Sequence, residues 1–370
     1  MSAFATKLTA AQNSKCWHLA LDKFPFNLNR RETPSLMRSE RNREQNVKPA
    51  RLEEIQKLYA SARQELEKAV ERRKRFLAQI ARQHGPRFRR VPLVNCARLL
   101  LHLGRASVLE NVGLYCERIT GLPIIPGTAV KGVVNTWACW EANASRDDFS
   151  VRRSMLGADL VAVLGANPPQ DTGATDSSGG VTFLGAFPQT VPMIELDIVT
   201  PHPDEARGRI TPSPFLAIKP DICWDFALLA TPRVNLDKAT GLLDIAARWL
   251  TECLTQIGVG AKTASGYGGF QELTDAEDQR DKQRFDSLLA DLAAKAAEAA
   301  MTPEERVYHD FVKSVSDWAA IAREIGNKSE AEKDHILRFF RSEQGQTIIK
   351  AWPRNDKAKA RIAALKQAGL

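Results

Sequence analysis

The chain has 370 residues, with 52 Lys+Arg against 44 Asp+Glu for a formal charge of +8, 44% hydrophobic positions and 26% charged ones. That composition supplies a core of ordinary size and excludes a wholly disordered chain, and the length suits two or three domains. No uncharged apolar run reaches about 18 residues and the start lacks a signal-type stretch, so neither membrane spanning nor secretion is expected and the location reads as cytoplasmic.

Cys16, Cys96, Cys116, Cys139, Cys223 and Cys253 lie far apart, with no CxxC pair and hence no local zinc motif. They read as reduced, mostly buried small hydrophobes, and no metal or cofactor is expected.

The positive charge is concentrated. Residues 30–90 hold 18 Lys+Arg and 8 Asp+Glu, a local net of +10, so the rest of the chain sums to −2. Within this segment Leu52, Ile55, Tyr59, Ala62, Leu66, Val70, Leu77 and Ile80 recur at three- and four-residue steps. The spacing predicts one long helix from near Pro49 to Gly85-Pro86, where glycine and proline stop it. Its basic face suits either a polyanion or plain solvent. A membrane surface is disfavoured, because the apolar stripe is not rich in Trp and Phe.

From Val91 the texture becomes strand-like, with a strand predicted over Ala97–Leu103 and another over Gly113–Cys116. Gly121–Val134 reads as an extended piece, a Pro-Gly turn and a helix start with Thr128 as N-cap. Gly165–Gly180 is a loop of Gly, Pro, Ser, Thr and Asp. Strands are expected at Val181–Leu184 and Ile222–Leu229, and a helix over Leu242–Ile257. The last ninety or so residues read as helical. Thr302 with Glu305, and Ser329 with Glu332, form capping boxes, and Val307, Phe311, Val315, Trp318 and Ile325 line one helix face up to Gly326. This tail suits a cap on the sheet domain or a partner-binding surface. The expected division is an N-terminal strand and long basic helix (1–90), a core (91–275) and a helical C-terminal extension (276–370).

The stretch Gly258–Phe270 holds five glycines around Lys262, Thr263, Ser265 and Tyr267. Its spacing fits neither a dinucleotide-binding fingerprint nor a Walker loop, and it follows a helix and precedes a strand predicted at Tyr267–Phe270, the reverse of both. Nucleotide hydrolysis is therefore disfavoured. The exposed amides, cation, hydroxyls and ring suit a sugar-phosphate chain, whereas a tight helix-to-strand turn would need only one or two of the glycines.

This loop resembles the glycine-rich signature of the RAMP proteins of CRISPR systems. Gly121–Gly132 resembles their second signature, Pro-x-x-Pro-Gly-x-x-x-Lys-Gly, here Pro123, Pro126, Gly127, Lys131 and Gly132. Together with Leu19–Phe24, Phe183–Pro188, Glu195–His202 and Pro212–Leu216, the pattern is most similar to subunits of the Cmr module of type III-B effector complexes. The resemblance implies an α+β fold with an RRM-like, ferredoxin-like core, carrying the glycine loop just before its last strand. It also implies a non-catalytic subunit that binds guide RNA (crRNA) toward its 3′ end. The implied partners are guide and target RNA, with other RAMP and small helical subunits. Gly127, Thr128, Lys131, Gly258, Gly260, Lys262, Thr263, Ser265, Gly266, Tyr267 and Gly268 are the implied RNA contacts. Two positions depart from the pattern: Gly185 stands where relatives often have an aspartate, and Asn135 replaces a commonly basic residue.

Metal-free RNA cleavage would need an acid–base group, and the candidates His18, His102 and His202 are each isolated. Asp197 with His202 is a weak carboxylate–histidine pair. A histidine-dependent RAMP endoribonuclease that processes guide precursors is the alternative function.

Overall fold

A computed structural model describes Trp17 and residues 52–101, 113–143, 157–166, 177–199 and 213–370. The predicted basic helix is present in two pieces, 52–61 and α1 (Arg63–His84), separated by a turn at Ala62. Gly85 at φ +50° followed by Pro86 ends it. Leu66, Ala69, Val70 and Ala78 form its buried stripe. The first piece is tied down by Tyr59, whose hydroxyl donates to the Pro192 carbonyl at 2.6 Å, and by Gln56, which donates to the Ile194 carbonyl.

The first strand, β1 (Phe88–Asn95), begins before the change of texture at Val91. The strand expected from Ala97 does not form over its described residues, which hold one isolated bridge, Leu99 to Ile218. The cause is a fully buried side chain just upstream. Asn95 donates to the carbonyls of Ala97 and Lys219 and accepts from the Ile222 amide and the Trp224 indole. This turns the chain out of the sheet, and the backbone of 96–100 pairs with the glycine loop instead. Likewise 113–116 forms bridges rather than a strand.

The chain then forms α2 (Gly127–Asn143), α3 (Ala158–Leu164), β2 (Gly165–Ala166), β3 (Ser177–Ser178), β4 (Val181–Phe183), β5 (Phe187–Pro188), β6 (Ile194–Val199), β7 (Ser213–Ile218), β8 (Ile222–Ala230), α4 (Leu236–Gln256) and β9 (Phe270–Glu272). Helix α2 starts at Gly127, so Thr128 lies in its first turn rather than capping it. A Cβ on Gly127 would fall 2.2 Å from the Phe183 carbonyl oxygen, and this close approach seats the helix start on β4. Helix α4 begins at Leu236, six positions before the apolar stripe begins, because Asn235 caps it.

The main sheet runs β4-β8-β1-β9, antiparallel throughout, with β5 also paired to β8. Its elements follow in chain order as β1, α2, β4, β8, α4 and β9, so the fold is α+β with an antiparallel sheet. Strand β8 is buried at consecutive residues from Trp224 to Leu228, which requires cover on both faces. Helix α4 packs on the sheet and on α2, and α1 runs against β1 and β5. The two helices are also joined through Trp137, whose indole donates to Glu252 at 2.9 Å, and through Arg248, paired with Glu141 at 2.7 Å.

The structure divides into two compact units, 1–289 and 290–370. Helix α5 (Asp275–Ala300) leaves the first unit, where Arg90 grips Asp281 with two hydrogen bonds of 2.7 and 2.8 Å and also donates to Asp225. Gln189 donates to both carboxylates, and the Arg90 guanidinium lies 4.5 Å from the Phe285 ring centroid.

The second unit has its own core of Ile336, Phe339, Phe340 and Leu365, with Trp318 stacked on Phe339 at 3.5 Å. Both predicted capping boxes are present, opening α6 (Pro303–Ser314) and α8 (Glu330–Arg341). The single helix face expected from Val307 to Ile325 is broken. Helix α6 ends at Ser314, and Asp317 accepts the Ala319 and Ala320 amides to start α7 (Trp318–Glu324). Helices α9 (Glu343–Ala351) and α10 (Asp356–Gln367) complete the unit.

Candidate nucleic-acid interface

The glycine loop joins α4 to β9, as the sequence predicts, but β9 starts at Phe270 rather than Tyr267. Gly268 holds φ +77°, which a strand does not accept. Three of the loop glycines answer to the protein's own backbone. An added Cβ would fall 2.4 Å from the Gly268 carbonyl oxygen at Gly258, 2.0 Å from that of Leu100 at Gly260 and 2.1 Å from that of Val259 at Gly268. The amides of Val259, Ala261 and Gly268 donate to Gly268, Leu100 and Arg98 carbonyls, so they are committed inside the fold. Gly266, at φ +86°, has open space around its Cβ position.

The tip is different. Lys262 adopts the left-handed conformation, φ 57°, and opens a short 3-10 turn over Thr263–Ser265. The amides of Lys262, Thr263 and Ala264 have no acceptor among the described residues. Lys262 has no carboxylate partner among them, and its Nζ lies 5.9 Å from the Phe215 ring centroid. Tyr267 packs edge-on to the same ring at 6.1 Å and donates its hydroxyl to Asp197 at 2.6 Å. Burial, then this bond, pushes the phenol up to about 12, so it stays a neutral donor.

Beside the tip lies an open cleft of about 470 Å³ lined by Arg98, Glu195, Lys219, Ser265, Gly266 and Tyr267. Its positive and negative groups largely satisfy one another: Arg98 and Lys219 bridge Glu195 at 2.5 and 3.3 Å, and Arg98 lies 3.6 Å from Asp197. Burial opposes ionisation of Glu195, but the hydrogen bonds from Arg98 and Lys219 outweigh it and hold its pKa below the ordinary value. Asn95 organises this corner, since it fixes the backbone on both sides, at Ala97 and at Lys219.

The second motif lines another cleft. Gly127, Thr128 and Lys131, from the first turns of α2, face a recess of about 700 Å³ shared with Ser177, Ser178, Thr182, Thr231 and Arg233. Its charged lining residues among those described are Lys131 and Arg233, both cations, accompanied by five hydroxyl side chains and the N-terminal end of a 17-residue helix. Arg233 donates to the Ser178 hydroxyl at 3.0 Å. Of the predicted site residues, Gly127, Thr128 and Lys131 line this recess and Ser265, Gly266 and Tyr267 line the first cleft, whereas Gly258, Gly260, Lys262, Thr263 and Gly268 line neither.

Arg233, Arg98 and Lys219 carried no motif in the sequence. Arg233 follows the end of β8, and only the pairing of β8 with β4 brings it to the start of α2. His18, His102 and His202 lie outside the described residues, as does Cys16. The expectation of mostly buried cysteines fits Cys253, whereas Cys96 is exposed and Cys116, Cys139 and Cys223 are half-buried. Cys96 is turned outward where the chain leaves β1. No helix among the described residues is long and apolar enough to cross a membrane.

No protein-family model matches the chain. The chain is 26% identical over 230 residues to the CRISPR system Cmr subunit Cmr6 of Pyrococcus furiosus, a match covering 48% of this chain and 65% of that relative. The match therefore spans less than two thirds of the relative's length. The crystal structure of Cmr6 from Pyrococcus furiosus superposes with a TM-score of 0.32 at 22% identity, covering 50% of this chain and 98% of that one. A chain of the cryo-EM structure of the type III-B Cmr-beta bound to cognate target RNA gives 0.40 at 16% identity, covering 56% and 66%. The relationship rests on the sequence match.

Proposed function

We propose that this chain, a RAMP-like relative of the sixth Cmr subunit, is a non-catalytic guide-RNA-binding subunit of a type III-B CRISPR effector complex, seated toward the 3′ end of the guide. The carrying observation is the cleft at the start of α2, where Lys131 and Arg233 stand among hydroxyls with no described carboxylate lining it. A sugar-phosphate backbone supplies the complementary charge and accepts from cations, hydroxyls and helix-end amides alike. The order β1-α2-β4-β8-α4-β9, with sheet neighbours β4-β8-β1-β9, supports an RRM-like, ferredoxin-like core.

The glycine-loop tip supplies the second contact through Lys262, Thr263, Ser265 and Tyr267. A left-handed lysine, at a position where glycine sits more easily, fits a side chain kept for its charge. Target RNA, other RAMP subunits and small helical subunits are the further partners, in the cytoplasm. In this reading residues 1–90, 91–275 and 276–370 act as basic helical insertion, RNA-binding core and helical extension.

Salt titration of single-stranded RNA binding tests the reading. Lys131→Ala and Arg233→Ala should each weaken binding irrespective of sequence and flatten the log–log salt slope by about 0.7, one phosphate contact apiece. Unchanged slopes in both would remove this cleft from the interface. Metal-free cleavage of repeat RNA that is lost on changing His18, His102 or His202 would replace the reading with the processing nuclease.

A further inference from the structure

The two clefts leave the most basic stretch of the chain without a role. Residues 72–90 contain eight Lys and Arg and no Asp or Glu. Five of the eight are engaged by the fold. Arg90 clamps Asp225 and Asp281, Arg89 pairs with Asp244, and Arg87 donates to the Thr231 carbonyl. Lys74 pairs with Glu71, and Arg73 is half-buried with its guanidinium 3.5 Å from the Phe187 ring centroid.

The other three, Arg72, Arg75 and Arg82, are exposed and form no ion pair with any described residue. At 100° per residue they share with Phe76 about a third of the circumference of α1, and ten residues at ~1.5 Å each separate Arg72 from Arg82 by about 15 Å along the axis. Phe76 is 52% exposed, although the apolar stripe of the same helix is buried through Leu66, Val70 and Ala78. Its ring is not core packing. Arg73 braces it from below, 5.1 Å from the centroid.

We propose that this strip of α1 is a docking face for an unpaired stretch of the guide strand. Arg72, Arg75 and Arg82 meet successive phosphates, and a base stacks on Phe76. An unpaired strand is favoured over a duplex because a paired base has no free face to offer the ring. A lipid surface would need several apolar side chains beside the arginines, and the strip presents one. The choice of the guide rests on the function proposed above, in which the guide is the strand held before any target arrives.

The test uses the full-length protein and a labelled oligoribonucleotide, single-stranded or annealed to its complement. Joint Arg72→Ala and Arg75→Ala substitution should flatten the single-strand salt slope by about 1.4, two phosphate contacts. Phe76→Ala should weaken single-strand binding about tenfold, leave the slope and duplex binding unchanged, and be rescued by Phe76→Trp. All these positions are exposed, and equal melting temperatures will identify the variants as folded. Wild-type affinity and slope in these variants, with Lys131→Ala still impaired, would overturn the docking face and leave the proposed function standing. No RNA binding by the wild type would instead overturn the function and, with it, the docking face. In a complex reconstituted with guide alone, a photocrosslinking residue at position 76 should label the guide. Labelling only after target is added would overturn the assignment to the guide.

Discussion

Gly260 and Gly266 look alike in the sequence and differ in what their missing side chains permit. Both hold positive φ, but a Cβ at Gly260 would overlap the Leu100 carbonyl oxygen, whereas one at Gly266 enters open space. Gly266→Ala should therefore lose only the left-handed penalty, about 1–2 kcal/mol. Gly260→Ala adds a backbone collision, must part the loop from the 96–100 segment, and should be clearly the more destabilised of the two in urea titration. Equal losses would mean that the loop yields at Gly260. The sequence makes the need for glycine legible, but not whose atoms require it. Hence a cluster expected to admit a ligand spends Gly258, Gly260 and Gly268 on the protein itself, while the tip from Lys262 to Gly266 remains outward.

Elements defined by local chemistry are the ones the sequence reveals. The stop at Gly85-Pro86, the capping boxes at Thr302 and Ser329, and the helix before the glycine loop all depend on residues within a few positions of one another. Those set by distant partners are hidden. Ala97–Leu100 reads as part of a strand, yet Asn95 takes the Ala97 carbonyl, Ile218 pairs with Leu99, and the glycine loop takes the carbonyls of Arg98 and Leu100.

Asp281 sits in α5 among exposed charged residues, and its burial depends on Arg90, 191 positions away. Burial pushes the neighbouring Asp225 carboxyl above its ordinary pKa against the pull of Arg90, so the three groups hold as a set. Removing Arg90 would leave the Asp225 and Asp281 carboxylates buried without a cation, whereas removing Asp281 leaves Arg90 still paired with Asp225. Arg90→Ala should cost about 3 kcal/mol in chemical denaturation of the full chain. A loss below about 1 kcal/mol, in the range of exposed pairs, would show that the clamp is solvated.

At the scale of the whole molecule, the cations proposed to meet RNA stand in three settings among the described residues: the recess at α2, the tip of the glycine loop and the outer strip of α1. The sequence shows the concentration of charge in residues 30–90, but it does not separate Arg90, Arg89 and Arg87, which hold the fold together, from Arg72, Arg75 and Arg82, which face outward. Nor does it bring Arg233 to Lys131, since that depends on the order of the sheet.

The proposed function stands on guide RNA being held on these surfaces within an effector complex. Its most direct test is to purify the tagged protein from its own host at moderate salt, crosslink it with ultraviolet light, and identify the bound RNA and proteins together with the crosslinked residues. The expected recovery is guide RNAs with a common repeat-derived 5′ end, several RAMP-like proteins, and crosslinks at the α2 recess and the glycine-loop tip. Recovery of the protein without guide RNA, or with crosslinks confined to the C-terminal unit, would contradict the proposed function.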